Sequence, residues 1–533
     1  MDYRSLIEVT QPSVAAPPRP RPAPTLEALP ARTAPPLPVV GLAVAACVAA
    51  GVVLRFWSRS PLWLDEALTV NVARLPLGHL PRALAHDGAP PLYYVLLHGW
   101  MAVSGTGDLA VRSLSGVLAA ATLPLAWLAG RRIGGTRVAW VSLLLLATSP
   151  FAVRFATEAR MYSLVTLLVF LGYLALGRLW DRPGWPAMLS VALVSALLLY
   201  THYWSLYLLG AVAAALVWVL RWGAASSRRP ARWALAGLAV GGLSFLPWVP
   251  SLIDQLRHTG TPWAVPARFN AMVNAVSEFA GGKTSPGRGL GLLFFALAGL
   301  GLFGRALDER HVELDLATRP RSRPLAYATV ATLALAITAG LLTRSAFQAR
   351  YTAVVFAPFL MLVALGTTVL LDRRVLAGVM ALAVALGLGC ASGNVVKGRT
   401  QAGAVASLIR AGAVPGDVVG YCPDQLGPSV SRLVPGGLSQ FTFPQMAAPQ
   451  IVDWRDYRAR ISAADPDAFA RSLLARVPPG HQLWLVWGSG YRTLGQRCEH
   501  IHALLAVQHP PSDLVISNSH VFEHMWLTRY PTR

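Results

Sequence analysis

The stretch LDEA sets Asp65 and Glu66 side by side just past the first long apolar run of a chain in which only 13% of residues are charged. A carboxylate at a membrane exit can take a proton from a hydroxyl, and it can equally cap the next helix by accepting hydrogen bonds from its first free amides. Further groups of similar promise recur along the chain. Arg160 in EARMYS and Arg350 in QARY stand at the ends of apolar runs, where a guanidinium suits a phosphate oxyanion or snorkels toward lipid headgroups. Asp87 in HDGAPPLYY and His202 in YTHYW could be two ligands of a divalent metal, or an Asp-Gly turn and an interfacial histidine. Glu158, two residues before Arg160, is a second acid or the ion-pair partner of a neighbouring arginine. Tyr93, Tyr94, Tyr162, Tyr203, Trp63 and Trp204 could stack on a ligand or simply belong to an interfacial belt.

The elements that position these groups read as membrane spans. The 533 residues are 54% hydrophobic, and apolar runs repeatedly reach the roughly 20 residues that cross a bilayer. A formal charge of +21 would suggest nucleic acid in a water-soluble protein, but here most arginines fall in short gaps between apolar runs, the positive-inside signature. The hydropathy predicts a polytopic α-helical membrane protein of about eleven transmembrane helices. They fall near 38–57, 110–129, 137–155, 160–178, 186–203, 205–221, 233–250, 288–304, 325–343, 352–371 and 375–391. With the N-terminus cytoplasmic, GRRIGGTR, RWGAASSRRPARW and LDRRV share the inner side, while LWLDEA, HDGAPPLYY, RFATEARMY, THYW and RSAFQARY collect outside.

One apolar run, Ala89–Gly105, would reverse that order if it spanned, so it is expected to be an interfacial helix of the first outer loop, started by Pro90 and Pro91. Three domains follow: a Pro/Ala/Arg-rich disordered tail over 1–37, a membrane domain over 38–391, and an extracytoplasmic domain over 392–533. The last alternates strand-like GDVVGYC and HQLWLVWG with helix-like segments, an α/β pattern, and it carries no nucleotide-binding glycine motif. Cys422 and Cys498 fall on this oxidising side, where a disulfide is one outcome; Cys47 and Cys390 lie in spans.

LDEA after the first span, then HDGAPPLYYVLLHGW, LAVRSLSGVLAAATLPLAWLAGRRIGG and TSPFAVRFATEARMYSLVTLL, resemble in order and spacing the GT-C glycosyltransferases. More narrowly they are similar to bacterial relatives of protein O-mannosyltransferases and lipid A aminoarabinose transferases. The similarity covers about residues 38–210 and extends loosely to QARYTAVVFAPFL, leaving the C-terminal domain aside. It implies catalysis by Asp65 with Glu66 beside it, and a donor phosphate held by Arg350, Arg160 and Tyr351. It also implies substrate contacts from Glu158, Tyr93 and Tyr94, and a metal, if one is used, near Asp87 and His202. No cofactor is otherwise required.

The implied reaction is inverting transfer of a sugar, mannose or a pentose such as arabinose, from a polyprenyl-phosphate donor to a glycan, lipid or protein acceptor. It would occur at the outer face of a bacterial cytoplasmic membrane, with an aspartate as general base. Leu92 and Tyr93 replace the basic residue that mannosyltransferase relatives carry after the paired prolines. A transporter or flippase of lipid-linked sugars is the alternative, though neither midplane charge nor repeated halves are evident.

Overall fold

The computed structural model describes residues 37–260, 271–343 and 347–531. Contacts divide the chain into Met1–Ala43 and Val44–Arg533, and the second unit holds every residue argued from below. The Pro/Ala/Arg-rich stretch before Leu37, with the tail expected there, lies outside the described residues.

The apolar runs form helices. The first is α1 (Leu37–Leu54), followed by three short helices, α2 (Leu64–Ala73), α3 (Leu80–Asp87) and α4 (Leu92–Ser104). At 13 residues α4 is about 20 Å long, too short to cross a bilayer, in keeping with a run started by paired prolines. Helix α5 (Asp108–Ala147) covers the span expected at 110–129 and the first part of that expected at 137–155, and its backbone leaves the helical region at Gly134 and Gly135. Then come α6 (Pro150–Ala156), α7 (Tyr162–Asp181), α8 (Trp185–Thr201), α9 (Ser205–Trp222), α10 (Ala225–Ser244), α11 (Val249–His258), α12 (Ala271–Phe279) and α13 (Ser285–Phe303).

A small antiparallel hairpin, β1 (Gly304–Ala306) and β2 (Val312–Leu314), leads to α14 (Arg323–Thr343), α15 (Ala353–Gly366) and α16 (Arg373–Val396). Among the described residues, eight helical stretches are long and apolar enough to span a membrane, while α1 and α8 fall just short. Helix α15 is apolar on every face, and each of its residues is buried. A helix with no polar stripe belongs at the centre of a bundle. The one-turn 3₁₀ segment Ala349–Thr352, which carries Arg350, is therefore fixed at the mouth of a rigid element.

After α17 (Ala402–Gly412) the chain builds a five-stranded sheet, β3 (Val418–Cys422), β4 (Ser439–Thr442), β5 (Gln482–Trp487), β6 (Ser512–Val515) and β7 (Trp526–Pro531), in the order β4-β3-β5-β7-β6. Strand β3 runs parallel to β4 and β5, while β7 is antiparallel to β5 and β6. Short helices α18 (Gly427–Ser431), α19 (Tyr457–Ala463), α20 (Pro466–Leu474) and α21 (Arg497–Gln508) complete this α/β region, and the Cys422–Cys498 disulfide ties β3 to α21. The region is seated on the short helices near α2: Asn71 Nδ2 donates to Gln450 O at 2.7 Å, and Trp454 N donates to His86 O at 2.9 Å.

Candidate active site

Asp65 and Glu66 occupy the first turn of α2, where negative charge complements the helix dipole. Neither caps the helix: Trp63 is the N-cap residue and its side chain makes no capping hydrogen bond. Consecutive helical residues diverge by about 100°, so the two acids face different surroundings.

Asp65 turns toward the one-turn segment that precedes α15. Its Oδ2 lies 2.8 Å from Arg350 Nη1, both side chains 19% exposed. Arg160, on the turn between α6 and α7, donates through Nη1 to Thr69 Oγ1 at 2.7 Å and to Asp65 O at 3.4 Å. Burial alone would pull the Arg160 guanidinium down, and Asp65, Tyr94, Tyr162 and Asp87 together more than reverse this, so it stays charged. The Arg350 guanidinium sits over the rings of Trp63 and Tyr351, at 5.9 and 5.8 Å. Tyr351 packs against His202 and Trp204, and His202 against Tyr162, with centroids 5.6 to 5.9 Å apart.

Four buried donors at this site have no hydrogen-bond partner among the described residues: Trp63 Nε1, Arg160 Nε, Tyr162 OH and Arg350 Nε. Buried polar groups are ordinarily satisfied, and each orphan costs roughly 1–3 kcal/mol. Four donors of one kind, two of them on guanidiniums, describe a site built for an oxyanion.

Glu66 faces the other way and is fully buried. Arg112 grips it through Nε to Oε1 at 2.7 Å and Nη2 to Oε2 at 2.6 Å, Ala159 N donates to Oε1 at 3.0 Å, and Arg399 Nη1 is 3.8 Å from Oε2. Burial would raise its carboxyl, but Arg112 and then Arg399 hold it below the usual range. Glu66, expected beside the chemistry, has both its oxygens engaged by these partners. Glu158, expected at the substrate, is likewise buried, 3.4 Å from Arg154 and 4.0 Å from Arg399.

The tyrosines after the paired prolines are engaged in the same way. Tyr93 OH pairs with Ser115 Oγ at 2.8 Å and Tyr94 OH donates to Asp87 Oδ2, both rings being buried, so neither can stack on a ligand. Asp87 ends α3, where Gly88, at φ +80, closes the helix in the left-handed region. Burial raises the Asp87 carboxyl, and Arg160 and the Tyr94 hydroxyl oppose that rise. The expected metal pair is not assembled. Asp87 is spent on Tyr94, His202 Nδ1 accepts from Trp204 N at 3.2 Å, and among the described residues no group of three His, Cys, Asp or Glu could hold a metal.

The α/β region contributes residues that no sequence motif marked. Phe522, 48% exposed, packs against Trp63 at 6.0 Å beneath Arg154 and Lys397. Next to it Glu523 is buried and accepts from Ser429 Oγ at 2.9 Å, with the Thr400 side chain and the Leu64 backbone as further partners. Burial, with Asp65 among its charged neighbours, pushes the Glu523 carboxyl up to about 8. Its backbone is pinned between Arg399 O and Gln401 N. The Glu66 cage also needed Arg399, whose KGRT context carries no recognisable pattern; Arg112 at least lay within the LAVRSLSG stretch.

Residues 88–250 match the family model described as dolichyl-phosphate-mannose-protein mannosyltransferase. No curated protein sequence matches the chain. Among solved structures, the chain is similar to ArnT from Cupriavidus metallidurans in its apo state, with TM-score 0.58 and 14% identity over 92% of this chain and 98% of that one. The same enzyme bound to undecaprenyl phosphate aligns with TM-score 0.56, also at 14% identity and with the same coverage. The oligosaccharyltransferase of Archaeoglobus fulgidus aligns with TM-score 0.52 and 11% identity over 83% of this chain and 67% of that one. These likenesses show the fold, a helical membrane bundle with an appended α/β region like that of ArnT, and the family model matches the segment 88–250 within the bundle.

Proposed function

We propose that this protein transfers one sugar from a polyprenyl-phosphate carrier to an acceptor at the outer face of a bacterial cytoplasmic membrane, with inversion. The observation that carries the reading is the Asp65–Arg350 pair beside four buried donors that lack partners among the described residues: a carboxylate stands next to groups suited to an oxyanion. The likeness to an enzyme solved with undecaprenyl phosphate supports the donor class. The gathering of arginine-dense loops away from LDEA and QARY supports the outward side.

In the resting protein Arg350 neutralises Asp65. An arriving donor phosphate draws the Arg350 guanidinium onto itself, with Arg160 and the Tyr162 hydroxyl as further donors. That leaves Asp65 ionised and free of its partner. The acceptor hydroxyl oxygen attacks the anomeric carbon and gives its proton to the Asp65 carboxylate. The bond between that carbon and the phosphate oxygen breaks, and its electron pair stays on the polyprenyl phosphate, whose added charge the two guanidiniums stabilise. Tyr351, Trp204 and His202 form the aromatic wall against which the carrier chain or sugar lies, and Phe522 faces the acceptor side. The sugar is a hexose or a pentose, with mannose and arabinose as the first two to test.

Purified protein incubated with a synthetic polyprenyl-phosphate sugar and candidate acceptors tests the proposal. Sugar release that disappears in Asp65→Asn at unchanged folded yield supports it. Vectorial movement of the lipid-linked sugar without release would replace it by transport.

A further inference from the structure

A second polar cavity, of about 280 Å³, opens between the end of α1 and the start of α5. Its walls include Arg55, Ser58, Arg59, Asp108 and Arg112. It is separated from the Asp65 site by the Glu66 ion cluster, since Arg112 grips Glu66 while lining this cavity.

The charges do not cancel. Arg112 is neutralised by Glu66, and Asp108 is engaged by Arg432 Nη2 at 3.5 Å and by Leu62 N at 3.3 Å. Arg55 and Arg59 remain. Arg55 is 1% exposed and has no carboxylate partner among the described residues; its terminal nitrogens donate to Gly51 O, Leu146 O and Ala147 O at 2.6 to 2.7 Å, and its Nε has no partner. This contact needs Gly51, because a Cβ there would overlap Ala147 O. Arg59 is exposed, and its contact is the face of Trp57, 6.0 Å away. A buried guanidinium without a counter-ion is costly, and a bound anion removes that cost.

Leu109, which lines the cavity at the start of α5, is 65% exposed, and Trp57, three residues past α1, is 49% exposed; exposed apolar side chains at the ends of apolar helices suit a membrane boundary. A phosphate group suits two guanidiniums and the Ser58 hydroxyl better than a carboxylate does, because its three or four oxygens accept from several directions.

We propose that this cavity is a phosphate-binding site, distinct from the reaction site, taking the phosphodiester of an anionic lipid headgroup or inorganic phosphate. Native mass spectrometry of the full chain in detergent, titrated separately with phosphatidylglycerol, diacylglycerol and inorganic phosphate, tests it. The wild type should retain phosphatidylglycerol but not diacylglycerol. Arg59→Gln should weaken that retention about tenfold, the loss of one charge-assisted pair, and Arg59→Lys should restore most of it. Displacement of the lipid by millimolar phosphate identifies the free ion as a competent ligand, whereas lipid retention at that concentration identifies the headgroup as the source; either supports the site. Equal retention of the two lipids, or wild-type retention by a folded Arg59→Gln variant, overturns it.

Discussion

Asp65 and Glu66 are covalent neighbours with opposite fates, and the two regions they enter differ in how completely polar groups are satisfied. Around Glu66, Arg112, Arg399, Ala159 N and the nearby Glu158 and Arg154 form a buried network in which the carboxylate oxygens are spoken for. Around Asp65 a single ion pair is flanked by donors without acceptors. Satisfied charge rigidifies a fold, while unsatisfied charge of one sign is an invitation to a ligand. The closed network holds α2, the turn before α7 and the 399–401 segment in register, so that the open site beside it keeps its shape.

The contrast breaks most visibly on Asp65 itself. Asp65→Asn should lower transfer by about 10²–10⁴-fold, the usual worth of a general base, with the thermal midpoint nearly unchanged. Glu66→Ala should do the reverse, costing about 3–5 kcal/mol by stranding Arg112, and it should be read as lost folded yield or a lowered melting temperature. Arg350→Gln should reduce turnover about 10²–10³-fold, as expected for one donor to a developing oxyanion, and should raise the apparent KM for the lipid donor.

A pH titration sharpens the boundary between the two regions. Glu523, at about 8 in the folded protein against 4.5 for the free side chain, binds a proton more tightly when folded. Its contribution to stability is therefore complete below pH 4.5 and is lost as pH rises through 8. Melting temperature should fall between pH 7 and 9, and Glu523→Gln should flatten that decline. Tyr93→Phe, which removes only the bond to Ser115, should cost about 1 kcal/mol and leave donor affinity unchanged.

Much of the architecture was legible because a bilayer imposes a length on apolar runs, and the runs expected at 160–178, 205–221, 325–343 and 375–391 fold as Tyr162–Asp181, Ser205–Trp222, Arg323–Thr343 and Arg373–Val396. That α4 does not span was expected from the charge order of the loops, which a spanning Ala89–Gly105 would reverse, and at 13 residues it is too short to cross. Asp65, Arg160 and Arg350 were legible as rare charges at the ends of such runs, and the fold brings all three together. What sequence did not carry was rotation. Which of two adjacent acids faces the site is decided by Arg112 and Arg399, distant in the chain, and no periodicity encodes that choice. Tyr93 and Tyr94 looked interfacial by composition, yet Ser115 and Asp87 satisfy their hydroxyls in the interior. Phe522 and Glu523 come from an irregular loop between β6 and β7, where neither a helical nor a strand period marks burial.

The most direct measurement is the affinity of purified wild type and Asp65→Asn for a polyprenyl phosphate, taken alongside the rate of sugar release by each. Because Asp65 and the donor phosphate are held to compete for Arg350, the variant should bind the lipid as tightly as wild type or severalfold more tightly while releasing essentially no sugar. A variant that binds the lipid tenfold more weakly, or that still turns over within tenfold of wild type, would contradict the account.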